Sequence, residues 1–353
     1  MVPAYTKVHN RFKYNGIHYK QEELKDVAYS LIKEGELYEK QIGDFLLDWL
    51  DDKDHLYINT SGSTGQPKPI KTSKQAMVNS SIKTGNFFNL EPGDTALHCL
   101  PTSFVAGKMM LIRAFVLGLE IDIVEPSGHP YFNRDKRYKF GAMVPFQLNN
   151  TYADIRHIEH LIVGGARISS GLRKNIQNIP TKVYETFGMT ETITHIALKA
   201  VNKAAGIADK FKVLEDVEIK TDNRGCLVIN APHISNKEIV TNDIVNLHSN
   251  TEFEWVGRAD NVINSGGVKL SPEQIEYKLS TQILSRFFIT SQQDELLGER
   301  VVLVLESDKN NLTDTIFKGL DKYEIPKEIK VISKFKDTDT GKINRPETLK
   351  LLN

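Results

Sequence analysis

The sequence predicts an α/β protein with a large layered N-terminal domain and a small α+β C-terminal domain. Two observations lead to this prediction. Short apolar strands alternate with helical segments over most of the chain, which is typical of helices packed on a sheet. A polar stretch near residues 257–260 then precedes a second group of elements, and 353 residues suit about two domains. We therefore expect domains at residues 1–257 and 258–353.

The elements of the large domain follow from hydrophobic periodicity and from helix-start signals. Apolar residues at helical spacing predict N-terminal helices at 21–34 and 38–50. The run Thr72-Ser73-Lys74-Gln75 is typical of a capping box and predicts a helix that extends to about Asn86. Further strands are expected at 57–59, 95–100, 120–124, 142–144, 158–163 and 182–185, and further helices at 107–117 and 169–177.

The last 140 or so residues change in pattern. Short alternating strands with polar turns between residues 213 and 233 predict a small β subdomain attached to the α/β body. The run Ser271-Pro272-Glu273-Gln274 places an N-cap serine before a first-turn proline, which predicts the start of a helix. The C-terminal domain is completed by predicted strands at 286–290, 301–305 and 328–332 and a predicted helix at 313–320.

Composition excludes several classes of protein. Lys and Arg together number 45, as do Asp and Glu, so no net charge favours nucleic acid or an anionic membrane. Two cysteines, Cys99 and Cys226, disfavour a disulfide framework and are best interpreted as small buried residues. No run approaches the roughly 18 apolar residues of a membrane span, and no signal peptide is visible. We expect a cytoplasmic protein, and the sequence leaves open whether it is a monomer or a homodimer.

One loop is chemically distinctive. It reads Thr60-Ser61-Gly62-Ser63-Thr64-Gly65-Gln66-Pro67-Lys68. Its glycines let the backbone approach a ligand closely, and its hydroxyls, N–H groups and lysine can surround an anion. This is the chemistry of a phosphate loop, although its spacing differs from that of the common NTPase P-loop. Taken alone, it is equally well explained as a solvated turn.

Further islands of glycine, hydroxyl, aromatic and charged residues follow in the chain. They are Gly164-Gly165-Ala166, Tyr184-Glu185-Thr186-Phe187-Gly188-Met189-Thr190-Glu191-Thr192, Thr241-Asn242-Asp243-Ile244, Gly257 to Lys269, and Thr340 to Arg345. With the loop at 60–68, and in this order, they resemble the adenylate-forming superfamily of acyl-CoA synthetases, peptide-synthetase adenylation domains and luciferases. The resemblance covers about Tyr57 to Arg345.

The resemblance implies an enzyme that uses ATP, Mg²⁺ and a small-molecule carboxylate. It assigns the β- and γ-phosphates of ATP to Thr60, Ser61, Gly62, Ser63, Thr64, Gly65 and Lys68. It assigns the adenine pocket to Gly165, Ala166, Phe187 and Gly188, and the ribose hydroxyls to Asp243 and Arg258. In the same way, Thr190 is expected to bind the α-phosphate, Glu191 to hold Mg²⁺, and Lys342 to act as the catalytic lysine.

The resemblance also implies a mobile C-terminal domain and coenzyme A as the second substrate. Asp260 matches the hinge position between the domains. Rotation about Asp260 is then expected to exchange Lys342, which serves adenylation, for Gly266 and Gly267, which serve thioester formation. His195 is not expected to act as a base, because the substrate of adenylation is already a carboxylate.

Within the superfamily, the chain most resembles the o-succinylbenzoate–CoA ligases of menaquinone biosynthesis. The resemblance lies in Leu100-Pro101-Thr102-Ser103-Phe104-Val105-Ala106-Gly107-Lys108, in Arg113 and in Gly188-Met189-Thr190-Glu191-Thr192. Phe104 stands where those ligases usually have His. The phosphate loop starts at residue 60, whereas the superfamily usually has a longer stretch before it, so we expect a shortened N-terminal region.

A dicarboxylate substrate needs a cation or several donors for its second carboxylate. Lys108 or Arg113 is expected to bind it with Thr102 and Ser103, while an exposed cation remains the alternative interpretation of either residue. Three functions stay open: this CoA ligase, a related enzyme that loads a carrier protein or uses another aryl or acyl acid, and a nucleotide-binding relative without catalysis. The presence of both Glu191 and Lys342 disfavours the last.

Overall fold

The computed structural model describes residues 2–59, 69–338 and 342–352. Its strands are β1 (Lys13–Tyr14), β2 (Ile17–His18), β3 (His55–Asn59), β4 (Pro69–Ser73), β5 (Thr95–His98), β6 (Glu120–Ile123), β7 (Tyr138–Met143), β8 (Ile158–Val163), β9 (Lys182–Gly188), β10 (His195–Ala200), β11 (Phe211–Val213), β12 (Glu218–Thr221), β13 (Cys226–Asn230), β14 (Ile239–Leu247), β15 (Glu252–Arg258), β16 (Ile263–Ser265), β17 (Val268–Leu270), β18 (Phe287–Asp294), β19 (Gly298–Glu306) and β20 (Glu328–Ile332). Its α-helices are α1 (Leu24–Glu34), α2 (Leu37–Trp49), α3 (Lys74–Phe88), α4 (Val105–Leu117), α5 (Pro145–Thr151), α6 (Ser170–Asn175), α7 (Pro272–Leu279) and α8 (Arg345–Leu349).

A mixed sheet of 13 strands organises the larger part of the molecule. Its order is β12-β13-β14-β15-β11-β10-β9-β8-β7-β5-β6-β1-β2. The central strands β6, β5, β7, β8 and β9 run parallel to one another. The chain passes from β5 outward to β6 and then returns to β7 on the other side of β5. Ligands of open α/β sheets bind at the carboxyl ends of the strands, near such a reversal.

Helices cover both faces of this sheet, because successive strand residues point to opposite sides. In β5, Ala96 belongs to the core that contains α3 and α4, whereas Leu97 belongs to the core that contains α5 and α6. The prediction of an α/β layered domain is therefore confirmed. Cys99 and Cys226 are buried free thiols, as the sequence predicted. No helix in the described part of the chain is both long and apolar enough to cross a membrane.

The small β subdomain expected from residue 213 onward is made of antiparallel strands. These strands continue the large sheet, because β11 pairs with β10 on one side and with β15 on the other. The pairing of β14 with β15 sets Asp243 opposite Arg258. This register matters for the site, since it brings two predicted ribose-binding residues onto adjacent strands.

A second sheet of five strands, β16 to β20, follows a short 3₁₀ turn at Ala259–Asn261. The expected boundary at 257/258 falls at the end of β15, and the expected hinge residue, Asp260, lies in this turn. Gly266 and Gly267 join β16 to β17 with φ values of 59° and 82°. Two positive φ values are typical of a tight hairpin turn, which glycine adopts without steric cost.

Two local predictions were wrong in detail. The helix expected at 313–320 is a 3₁₀ turn at Asp314–Phe317, and Gly319 is a poor helix former at the point where the helix should continue. The N-cap of α3 is Ser73, whose Oγ accepts a hydrogen bond from the Ala76 N–H, rather than Thr72. Gln75 instead donates to the Pro3 carbonyl, so it fixes the N-terminal segment.

Candidate active site

A cavity of about 1790 Å³ opens at the carboxyl ends of the parallel strands. Pro101 follows β5, Val144 follows β7 and Ala166 follows β8, and all three line this cavity. Residues of the C-terminal part of the chain close it from the other side, among them Arg286 and Lys342. The cavity therefore lies where the topology of the sheet predicts a ligand site.

Of the fifteen expected site residues that the structure describes, eleven line this cavity. They are Phe104, Arg113, Gly165, Ala166, Phe187, Gly188, Thr190, Glu191, Asp243, Arg258 and Lys342. Lys108, Asp260, Gly266 and Gly267 are described but are not among the lining residues. The expected phosphate loop, Thr60 to Lys68, lies outside the described residues.

The turn Gly164-Gly165-Ala166 after β8 is anchored by the buried ion pair between Glu185 and Lys199. Glu185 accepts a hydrogen bond from the Ile168 N–H at 3.0 Å, and its other oxygen lies 2.7 Å from the Lys199 ammonium. A Cβ at Gly164 would lie 2.5 Å from the Thr186 hydroxyl, so any larger residue would require that side chain or the turn to shift. The turn therefore presents its backbone to the cavity from a fixed position.

The turn after β9 presents Thr190 and Glu191 and carries backbone strain. Residues 190–192 form a 3₁₀ turn, and the next residue, Ile193, has φ 67° and ψ −52°. A β-branched residue with positive φ is a steric outlier, and such strain concentrates at functional sites. The Thr194 N–H donates to the Thr192 carbonyl at 2.6 Å, which closes a γ-turn.

Gly188 lets β9 and β10 come together beneath this strained turn. A Cβ at Gly188 would lie 2.3 Å from the Thr194 carbonyl oxygen and 2.6 Å from the His195 Cα. Any larger residue must therefore displace the backbone that carries Thr194 and His195. The glycine was expected from the sequence, but its steric reason depends on a contact that only the fold reveals.

Asp243 and Arg258 form the polar wall expected for ribose hydroxyls. The buried Asp243 accepts a hydrogen bond from the Trp255 indole N–H at 2.9 Å, and Arg258 Nη1 lies 3.8 Å from its other oxygen. Burial raises the pKa of Asp243, while the Trp255 hydrogen bond and the Arg258 charge oppose that shift. Arg258 also donates to Asp260 at 2.8 Å, which ties the turn that follows β15 to this wall.

Phe187 lines the cavity between the two turns and packs edge-on against Phe253, with ring centroids 5.0 Å apart. Phe211 supports the same cluster, since its ring stacks on Phe253. The ring of Phe187 is therefore braced by other aromatics on the side away from the cavity. A braced aromatic face suits the planar ring of a base.

Lys342 reaches the cavity from the C-terminal part of the chain. Its N–H donates to the Thr338 hydroxyl at 3.2 Å, and its carbonyl accepts from the Thr338 N–H at 2.8 Å. Burial lowers the pKa of Lys342, and no counter-charge from the described residues offsets that effect. A partly desolvated ammonium without a partner is well placed to bind an anion.

The two candidate cations of helix α4 lie in different environments. The ammonium of Lys108 lies 5.1 Å from the ring centroid of Phe45, outside the cavity lining. Arg113 lines the cavity, is 2% exposed and donates from Nη2 to the Thr194 hydroxyl at 3.1 Å. Of the two alternatives left open by the sequence, Arg113 is the one that lines the cavity.

Within residues 2–59, 69–338 and 342–352, the guanidinium of Arg113 has donors without a strong hydrogen-bond partner. Nη1 contacts only the Met110 sulfur, at 3.7 Å, and Nε is buried without a hydrogen-bond partner in the described part of the chain. Burial lowers the pKa of Arg113 to about 9. A buried cation without a counter-charge is costly, and an anionic ligand offsets that cost.

Sequence reasoning missed Arg167, which lies directly after the glycine turn. Its guanidinium lies 3.8 Å from the ring centroid of Tyr277 in α7, which is close enough for a cation–π contact. Nearby, the hydroxyls of Ser170 and Ser280 lie 2.5 Å apart. These contacts join the large sheet to the C-terminal part while Lys342 lines the cavity. The position of Arg167 directly after Gly164-Gly165-Ala166 is the sequence signal that could have identified it.

A metal ion at this site would need donor atoms from a bound substrate in addition to those of the protein. Among residues 2–59, 69–338 and 342–352, no group of three or more His, Cys, Asp or Glu could hold a metal. Glu191 offers a single exposed carboxylate to the cavity. This donor set fits Mg²⁺, which is commonly bound through one or two carboxylates together with substrate phosphates.

Comparison with known proteins identifies the family. The model of the AMP-binding enzyme family matches residues 17–235, and the chain belongs to this family. An acyl-CoA synthetase (AMP-forming)/AMP-acid ligase II-like protein from Dyadobacter fermentans DSM 18053 is 34% identical, with a TM-score of 0.61. That match covers 93% of this chain and 98% of the other. The fold is accordingly that of the adenylate-forming enzymes.

Two further relatives carry a more specific name. O-succinylbenzoate coenzyme A synthetase from Bacillus subtilis, solved in complex with ATP and magnesium ion, is 19% identical, with a TM-score of 0.71 over 83% of this chain and 69% of that chain. At this identity the match shows a shared fold. The 2-succinylbenzoate–CoA ligase of Staphylococcus aureus (strain bovine RF122 / ET3-1) is 25% identical over 319 residues. That alignment covers 81% of this chain, and the chain spans 65% of the length of that relative.

Proposed function

We propose that this chain is an AMP-forming acyl-CoA ligase, which activates a carboxylate with ATP and then transfers the acyl group to coenzyme A. The observation that carries the proposal is the composition of one cavity. A desolvated lysine, Lys342, lines it together with the Thr190–Glu191 turn and the Asp243–Arg258 wall. These are the groups that a carboxylate, a nucleotide phosphate and a ribose each require.

Charge neutralisation is the central problem of the first step. A carboxylate oxygen attacks the α-phosphorus of ATP and pyrophosphate leaves, so two anions must approach each other. Lys342 stabilises the charge that develops between them, and the Thr190 hydroxyl donates to the α-phosphate. Glu191 would hold Mg²⁺, which would supply neutralisation of the phosphate charge. The loop at residues 60–68 is proposed to hold the departing pyrophosphate.

In the second step, the thiol of coenzyme A attacks the acyl carbon, AMP leaves and the thiol proton passes to solvent. A rotation of the C-terminal part about Asp260 is proposed to withdraw Lys342 and to bring the Gly266–Gly267 hairpin to the cavity. Because Gly266 and Gly267 have no side chains, coenzyme A could pass close to the backbone of this hairpin. The proposed acceptor is coenzyme A rather than a carrier protein because the named relatives are CoA ligases.

The proposed acid is o-succinylbenzoate, an aromatic dicarboxylate of menaquinone biosynthesis. One carboxylate is activated and the other keeps its charge, so the acyl pocket needs a buried cation. Arg113 supplies one, with Nε and Nη1 free of strong partners among the described residues. Phe104, at the N-cap of α4, adds an apolar surface for the aromatic ring. The name of the Staphylococcus aureus relative supports the same acid.

A panel of acids tests the proposal. The protein is incubated with ATP, Mg²⁺ and coenzyme A together with o-succinylbenzoate, its matched monocarboxylate 4-oxo-4-phenylbutanoate, benzoate or a short fatty acid. Mass spectrometry then detects acyl-AMP and acyl-CoA. We expect o-succinylbenzoyl-CoA to form fastest. Adenylate without thioester would indicate an adenylation enzyme with another acceptor, and no adenylate from any acid would indicate a nucleotide-binding protein.

A further inference from the structure

A chain of hydrogen-bonded polar side chains runs from Arg113 through Thr194 and His195, which also line the cavity, to helix α3. The Arg113 guanidinium donates to the Thr194 hydroxyl, and that hydroxyl lies 3.3 Å from Nδ1 of His195. On the other side of the ring, Nε2 lies 3.4 Å from the Thr84 hydroxyl of helix α3. Thr84 in turn donates to the Ser80 carbonyl at 3.1 Å. His195 thus connects the acyl pocket to helix α3.

The direction of each hydrogen bond in this chain follows from its two ends. Arginine can only donate, so the Thr194 oxygen accepts from Arg113 and its proton is free for His195 Nδ1. At the far end, the Thr84 proton is committed to the Ser80 carbonyl, so the Thr84 oxygen accepts from His195 Nε2–H. The ring is therefore neutral and carries its proton on Nε2.

Protonation of His195 agrees with this assignment. Burial lowers the pKa of His195 well below its usual value, and the Arg113 charge lowers it further. A second proton on Nδ1 would turn that atom into a donor toward Thr194. The Thr194 oxygen would then accept from two cations, Arg113 and protonated His195, which repel each other.

We infer that His195 is a positioning residue for substrate selection: through Thr194 it fixes the Arg113 guanidinium, and so determines the preference for an acid with a second anionic group. The inference rests on the proposed function. Because Nη2 is held by the relay, the guanidinium keeps a constant position in the cavity wall. A guanidinium that can change its orientation would bind the second carboxylate less well. The reaction of the other carboxylate would not change, because it does not depend on the relay.

Two substitutions at residue 195 separate the two ring nitrogens. Asn matches the position of Nδ1 and keeps an acceptor for Thr194, whereas Gln matches Nε2 and keeps only the link to Thr84. The readout is kcat/KM for o-succinylbenzoate divided by kcat/KM for 4-oxo-4-phenylbutanoate. We expect His195→Gln to lower this ratio about fivefold, the value of one hydrogen bond between neutral groups, and His195→Asn to restore most of it.

A double-mutant cycle with Thr194→Val tests whether the effect passes through Thr194. In that background the link is already broken, so His195→Gln and His195→Asn should give the same ratio. If each substitution at residue 195 instead changes the ratio by the same factor in Thr194→Val as in the unmodified protein, residue 195 acts by another route and the inference is overturned. A ratio for His195→Gln equal to that of the unmodified protein would overturn it as well.

The tautomer provides a test that does not depend on catalysis. ¹⁵N NMR of the histidine rings, with the His195 signal identified by its loss in His195→Asn, should show a neutral ring protonated on Nε2. A ring protonated on Nδ1, or on both nitrogens at neutral pH, would overturn the relay. If the unmodified protein shows no preference for the dicarboxylate, the proposed acid and the selection role both fail. A preference that survives His195→Gln overturns the selection role alone.

Discussion

Replacing Arg113 with Met should change stability and substrate preference in opposite directions. The side chain is 2% exposed and its charge has no carboxylate partner in the described part of the chain. Burial lowers its pKa from 12.5 to about 9. At about 1.4 kcal/mol per unit, this corresponds to a cost of roughly 5 kcal/mol for keeping the charged form folded. The cost is fully present below pH 9 and is relieved only as pH rises above that value.

Methionine removes this cost but also removes the hydrogen bond to Thr194, which contributes about 2 kcal/mol. The difference predicts a free energy of unfolding higher by about 2 to 3 kcal/mol, within the range seen when buried charges are replaced by apolar residues. The same change should raise KM for o-succinylbenzoate about 100-fold, because a buried charge pair is lost from the complex. Urea unfolding of the unliganded protein and steady-state kinetics measure the two effects.

Lys108→Met is the matched control, since this cation lies on Phe45 outside the cavity lining. Its effect on the ratio of kcat/KM between dicarboxylate and monocarboxylate should be much smaller than that of Arg113→Met. A variant Arg113→Met that is less stable and keeps its preference for the dicarboxylate would refute the argument. So would a loss of preference of the same size in Lys108→Met.

Three further outcomes are expected. Lys342→Ala should lower ATP–pyrophosphate exchange about 10²- to 10³-fold yet spare thioester formation from supplied acyl-AMP. Because burial lowers the pKa of Lys342, exchange in the unmodified protein should fall as pH rises, and the fall should begin below the pH at which a free lysine loses its proton. Gly188→Ala should cost about 1 to 3 kcal/mol in urea unfolding, since its Cβ would lie 2.3 Å from the Thr194 carbonyl oxygen. Glu185→Ala should cost about 3 to 5 kcal/mol, because it leaves Lys199 buried and unpaired, and Glu185→Leu combined with Lys199→Met should recover most of that loss.

The fold and much of the cavity follow from local sequence signals. Strand ends followed by glycine, hydroxyl and acidic residues identified the turns at 164–166 and 188–191, because side chains at the carboxyl ends of parallel strands converge. The strand pattern predicted Asp243 at a strand end, whereas it lies in the middle of β14 and pairs with Arg258 of β15. Periodicity predicted the elements, but the roles of these residues were implied only by the resemblance of the ordered motifs to a known family.

The rest depends on which residues meet across the fold. Helical spacing could not decide between Lys108 and Arg113, since the choice depends on how α4 is rotated against the sheet. His195 was considered only as a base, because its contact with Thr84 joins residues 111 apart in sequence. In the same way, Asp51 lies 2.7 Å from the ammonium of the fully buried Lys74, which follows it by 23 residues. A local sequence pattern cannot predict contacts between residues so far apart in the chain.

The central claim is that a carboxylate oxygen attacks the α-phosphorus of ATP in this cavity. An acid labelled with ¹⁸O in its carboxylates tests it directly, since the bridging oxygen of the acyl-adenylate stays with AMP when coenzyme A attacks the acyl carbon. Mass spectrometry of the released AMP should show one ¹⁸O per molecule. Unlabelled AMP, or release of ADP and phosphate in place of AMP and pyrophosphate, would contradict the proposed reaction.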